Sequence, residues 1–294
     1  VRRIGIVGLV AVAAVVAALA LGRPSGAPAA DATVFGGLGT WIDVYDTSLY
    51  RSPVALADRL ARRGVTTAWI ETANDRSTVD VVQRAPLGRV LDALHDRGIR
   101  VVAWYLPGHV DQSLDLRRAR AMLSFRSPRG DAFDGVALDI ESLREKSVKR
   151  RTTRMLALLR TLRAEAGSVP MAAIVYPPRA LERHAGWWPG FPWTAVAAQV
   201  DAVVPMLYTG GGFRGYDATY GYVARSLRLV RRAVGLDLPV HGAGGVANRM
   251  DAEELRAFTD ALADDGAVAG WSLYDLQTTT AAGWSALSRL PAGG

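Results

Sequence analysis

From residue 39 onward, short apolar runs alternate eight times with amphipathic stretches, and this limits the possible folds more than any other property of the chain. The strand-like runs span 39–44, 67–71, 100–105, 135–141, 169–175, 202–208, 239–242 and 268–273. Between them, apolar residues recur at three-to-four spacing over 54–63, 87–97, 114–124, 147–166, 220–234, 252–265 and 281–290. A shorter helix is predicted at 192–199. Gly64 and Gly98 follow the first two helices, where a left-handed C-cap is expected. Repeated strand–helix alternation predicts an α/β chain closed into a (β/α)8 TIM barrel rather than an open sheet, and residues 31–294 are enough for one. No Gly-x-Gly-x-x-Gly follows the first strand, and Gly210–Gly212 precede no clear helix start, so a dinucleotide or phosphate cradle is not expected.

Residues 1–30 read as a separate segment. Arg2 and Arg3 precede an unbroken apolar run over 4–21, and a small-residue site follows at Ala27–Ala29. That is the layout of a secretory signal, but the run is also long enough to span a bilayer. A cleaved signal and an uncleaved N-terminal membrane anchor both remain open; either places the barrel in an extracellular or cell-surface location. Cysteine is absent, so disulfides and thiolate chemistry are excluded, and the four histidines show no zinc-ligand spacing. No cofactor or metal is expected. The net charge of +7 is carried almost wholly by arginine. Its densest run, 144–154, reads as a solvated helix face, so nucleic acid is not an expected partner. A positive surface suits an anionic cell-wall polymer.

The run 133–141, FDGVALDIE, carries the chemistry. As a strand it places Val136, Leu138 and Ile140 on one face and Ala137, Asp139 and Glu141 on the other. Two acids on one face are roughly 6.5–7 Å apart along the strand, close enough to reach one bound molecule. Barrel sites form where strands end. The strand ends supply Asp43, Tyr45, Glu71, Trp104, Tyr105, Tyr176, Met206, Tyr208, His241, Trp271, Tyr274 and Asp275 as candidate substrate contacts. Aromatic rings and a few polar groups are what a sugar requires: its C–H faces stack on rings, and its hydroxyls seek acids and phenols. Trp187, Trp188 and Trp193, in the loop after the fifth strand, are expected as a rim or as loop packing.

FDGVALDIE resembles the fourth-strand signature of the chitinase-like (family 18) glycoside hydrolases, D-x-x-D-x-D-x-E. Asp134, Ala137, Asp139 and Glu141 fall on its four acidic positions, and Pro205–Thr209 (PMLYT) is similar to the family's M-x-Y-D. Trp271 falls near its eighth-strand tryptophan. The resemblance implies a polysaccharide or oligosaccharide partner and assigns three roles. Glu141 is the general acid, Asp139 orients an N-acetyl group that attacks the anomeric carbon, and Tyr208 holds that group by a hydrogen bond. Ala137 and Thr209 depart from the pattern, and without a carboxylate at 137 Asp139 loses the neighbour that would share a proton with it. The D-x-E pair also resembles that of the family 25 lysozymes, whose first strand Trp41–Val44 would suit. The expected function is hydrolysis of an N-acetylated polysaccharide, peptidoglycan or chitin. A glycan-binding barrel without activity and a surface scaffold are the alternatives.

Overall fold

The computed structural model describes residues 30–291; the expected signal or anchor therefore lies almost wholly outside the described residues. Eight parallel strands pair in sequence order, and β8 pairs with β1 to close a barrel. They are β1 (Gly37–Ile42), β2 (Thr67–Asn74), β3 (Arg100–Leu106), β4 (Gly135–Ile140), β5 (Met171–Val175), β6 (Ala202–Tyr208), β7 (His241–Gly245) and β8 (Gly270–Leu273). The helices are α1 (Pro53–Arg62), α2 (Arg84–His95), α3 (Gln112–Leu123), α4 (Val148–Ala166), α5 (Pro178–Arg183), α6 (Trp193–Ala197), α7 (Tyr216–Val234), α8 (Ala252–Asp265) and α9 (Ala281–Leu287). The predicted barrel is thus observed, with α5 as an extra short helix in the loop after β5.

Strand alternation sorts the core into two layers. One face of each strand packs against the helices, as Val136, Leu138 and Ile140 of β4 do. The other fills the barrel interior with Trp41, Trp69, Val102, Trp104, Ala137, Ile174 and Met206. Trp41 and Trp69 stack with ring centroids 4.8 Å apart. Rings of this size leave no room for a side chain at Gly39, where a Cβ would lie 2.9 Å from His241 Cε1 and 3.0 Å from Trp69 Nε1.

A short 3-10 turn, Ala32–Phe35, plugs the N-terminal end of the barrel. Phe35 stacks on Trp69 at 5.6 Å, and Thr67 Oγ1 donates to the Val34 carbonyl at 3.0 Å. A polar chain runs through the interior above this plug. Trp41 Nε1 donates to Ser272 Oγ, and the hydroxyl of Ser272 meets His241 Nε2, each at 2.8 Å. His241 Nδ1 meets the Phe35 carbonyl at 2.8 Å. A carbonyl only accepts, so Nδ1 carries the proton and Nε2 accepts from Ser272. Burial lowers the His241 pKa to about 4, which keeps the ring neutral in this arrangement.

The observed strands correct three expected site residues. Strand β7 begins at His241 instead of ending near it, because the true strand, HGAGG, carries almost no apolar side chain to mark it. His241 therefore lies deep in the barrel, not at its mouth. Trp271 points outward, its Nε1 donating to the Leu287 carbonyl under α9 at 3.1 Å. Ser272 takes the inward position beside it. Tyr105 also faces the helices, its hydroxyl donating to Asp115 of α3 at 2.6 Å. In each of the pairs Trp271–Ser272 and Trp104–Tyr105 only one residue can face inward.

Candidate active site

At the C-terminal end of the barrel a cleft of about 550 Å³ opens over β4. Eight of the expected residues line it: Tyr45, Glu71, Trp104, Asp139, Glu141, Met206, Tyr208 and Tyr274. All but Tyr45, which is exposed in the loop after β1, reach it from inward positions at or just past strand ends. A second, more apolar lobe of about 260 Å³ adjoins the first, with Tyr176, Arg183, His184, Trp187 and Phe213 in its wall. Glu141, Met206 and Tyr208 border both lobes. The half-buried Glu141 thus stands where the two lobes meet, and its own carbonyl accepts from Tyr176 Oη at 3.1 Å.

Charge is concentrated in this cleft. Asp139 is buried, and its Oδ1 has no hydrogen-bond partner. Burial, then Glu141 and Glu71, hold its pKa well above the usual carboxylate range. Burial also raises Glu141. Glu71, from β2, is raised to about 8 by burial and by the nearby charges of Asp43 and Glu141, although its Oε2 accepts from Val44 N at 3.0 Å. After Glu141, Glu71 is the second carboxylate whose charge acts on Asp139. Tyr208 is pushed upward by burial and then by Glu141 and Asp139, so it remains a phenol able to donate. Three acids around one cleft with raised pKa values can hold and move protons near neutral pH.

Asp43 and Asp275 lie one layer behind the cleft. Asp43 Oδ2 accepts from Tyr274 Oη at 3.0 Å, and its Oδ1 accepts from Tyr45 N at 2.7 Å. Asp275 Oδ1 accepts from Thr278 N at 2.9 Å. Of the loop tryptophans, Trp187 reaches the second lobe, whereas Trp188 is buried beneath the Arg151 guanidinium. Trp193 packs on Phe191.

Sequence reading missed the outer wall, formed by Asn74, Arg76, Ser142, Arg144 and Lys146. Arg144 pairs with Asp75 at 2.6 Å. Strand β2 runs on to Asn74, past a bulge between Glu71 and Ala73, and carries this wall upward. The polar run after Glu71 gave a signal for a site loop, but not for a longer strand.

No protein family and no curated protein matches the chain by sequence. Solved structures match by shape. A class V chitinase from Pseudomonas fluorescens Pf-5 superposes with a TM-score of 0.62 at 11% identity, over 86% of this chain and 98% of that one. The PgaB (BpsB) glycoside hydrolase domain from Bordetella bronchiseptica gives 0.57 at 13% identity, over 81% and 93%. The spore cortex-lytic enzyme SleL of Bacillus megaterium QM B1551 gives 0.59 at 12% identity, over 86% and 73%. The chain shares the barrel fold of these glycoside hydrolases. At such identities the likeness establishes architecture and leaves the chemistry to the residues in the cleft.

Proposed function

We propose that the protein is a glycoside hydrolase acting on an N-acetylated polysaccharide of chitin or peptidoglycan type, with Glu141 as general acid. The observation that carries this reading is the position of Glu141 at the junction of two lobes, with its pKa raised by burial and Asp139 beside it. A glycan chain laid through both lobes puts one sugar against Trp104, Asp139 and Tyr208 and the next against Tyr176 and Trp187. Glu141 then protonates the bridging oxygen. Asp139, kept protonated by burial and by the charges of Glu141 and Glu71, orients the acetamido group, whose carbonyl oxygen attacks the anomeric carbon as the glycosidic bond breaks. Water opens the resulting cyclic intermediate and gives its proton to the Glu141 carboxylate, which restores the acid. This is the substrate-assisted exception to the two-carboxylate scheme. The names of the chitinase and cortex-lytic neighbours are consistent with such a substrate. Export through residues 1–30, by a cleaved signal or with an anchor retained, would bring the cleft to the cell envelope.

A second reading is binding without hydrolysis. It is favoured by Ala137 and by Thr209, which is buried with its hydroxyl unpartnered where the family 18 pattern has an acid. One experiment separates the two. The protein is incubated with chitin oligosaccharides and with purified peptidoglycan, and new reducing ends are measured. Hydrolysis should fall by about 10²-fold or more in Glu141→Gln, with binding retained. Equal cleavage by parent and variant removes Glu141 from the chemistry, and retention of glycan with no reducing ends from the parent establishes the binding reading.

A further inference from the structure

We propose that Asp43, Asp46 and Asp275 form a binding site for an oxygen-preferring divalent cation of the calcium kind, where the first and last strands meet. Asp43 and Asp46 lie in the loop after β1, and Asp275 follows β8. One carboxylate oxygen from each lies within 4.8 Å of the other two. Calcium holds oxygen ligands at roughly 2.3–2.6 Å, so two ligands of one ion stand at most about 5 Å apart. The three carboxylates meet that limit as they stand.

Proximity alone would not make a site; Asp46 supplies the independent observation. Its side chain is only 6% exposed, and its Oδ2 is buried with no hydrogen-bond partner. Although Asp46 immediately precedes the 3-10 turn Thr47–Arg51, its side chain does not cap that turn. The carboxylate is directed instead at two others of the same charge. Among the described residues, none of the ion pairs includes any of the three acids, so no Arg, Lys or His neutralises them. A buried, uncompensated cluster of this kind is costly unless a proton or a cation joins it. The geometry favours a cation over a proton because a proton bridges two oxygens, whereas three converge here.

The site would act on the cleft through Tyr274. Asp43 Oδ2 accepts from Tyr274 Oη, and Tyr274 lines the cleft beside Glu71 and Tyr208. A cation fixing Asp43 therefore fixes that wall and ties the β1 end to the β8 end. This inference does not depend on Glu141 being a catalytic acid.

The test uses the purified protein after treatment with EDTA and measures Tm on adding calcium or magnesium, together with terbium luminescence. Trp41, whose ring lies 6.4 Å from that of Tyr274, is placed to sensitise a terbium ion held by Asp43. Calcium at about 100 times its Kd should raise Tm by roughly 5 °C. Asp46→Asn and Asp275→Asn should lose both the Tm rise and the luminescence, while Glu141→Gln retains them, which separates this site from the acids of the cleft. Metal-free Asp46→Asn should melt at or above the metal-free parent, since it removes a buried charge; its lost response is then not a folding defect. A parent that responds to neither calcium nor magnesium at millimolar concentration overturns the proposal, as does an undiminished response in Asp46→Asn.

Discussion

Replacing Glu71 by glutamine should stabilise the protein, and increasingly so as the pH rises through neutrality. The Glu71 side chain is 4% exposed, and burial, then Asp43 and Glu141, hold its pKa at about 8 instead of the ordinary 4.5. Between those two values the folded state keeps a proton that the unfolded chain has released. Stability therefore falls as pH rises from about 4.5 to about 8 and levels off above. At about 1.4 kcal/mol for each tenfold change in proton concentration, the interval sets a ceiling of about 5 kcal/mol. Water in the open cleft and electrostatic coupling to the neighbouring acids reduce this, and a gain of about 1–2 kcal/mol at pH 8.5 is expected. In a domain of this size that is roughly 2–8 °C in Tm. The Glu71→Gln side chain keeps an oxygen for the Val44 amide, from which Glu71 now accepts at 3.0 Å, so the loop after β1 is undisturbed. Thermal melts of parent and variant at pH 4.5, 6.5 and 8.5, at fixed ionic strength with EDTA present, make the comparison. The two should nearly coincide at pH 4.5 and diverge above it. Parallel curves would show that Glu71 does not hold the proton, and its role beside Asp139 would fall with it.

Two further substitutions probe where the tryptophans lie. Trp271→Ala should cost about 3–5 kcal/mol of stability, read as a lower denaturant midpoint, because it empties a buried site under α9. KM for oligosaccharides should not change; a raised KM at unchanged stability would return Trp271 to the cleft. Trp187→Ala should do the reverse, leaving Tm in place while raising KM about 3–10-fold for oligosaccharides long enough to enter the second lobe. Equal KM values for parent and variant across chain lengths would mean that glycans do not use that lobe.

How much of this was legible in the sequence depends on how each strand announces itself. Strands such as Ala202–Tyr208 and Gly135–Ile140 are apolar on the helix-facing side, and their inward residues followed from alternation alone. For that reason Asp139, Glu141, Met206 and Tyr208 were found at the mouth. The strand HGAGG offers no such pattern. Its glycines are demanded by neighbours, as at Gly244, where a Cβ would meet the Phe258 ring at 2.7 Å. That requirement belongs to tertiary packing and cannot be read locally. The misplacement of Tyr105 and Trp271 had a different origin, since period-two alternation already forbade adjacent residues from sharing the interior. Glu71 was visible as a strand-end acid, but its electrostatic contact with Asp139 links β2 to β4 and exists only once the barrel closes. The convergence of Asp43, Asp46 and Asp275 likewise joins the two ends of the sheet, and no spacing in the chain reports it.

The plug formed by Ala32–Phe35 also has a consequence for how the domain could be held. This turn seals the pole opposite the cleft, so the described residues begin at the rear of the barrel. A tether attached there, to lipid or to another domain, would hold the molecule by its back and present the opening to the medium. Lengthening that connection would change how far the opening can travel without altering how it grips a glycan.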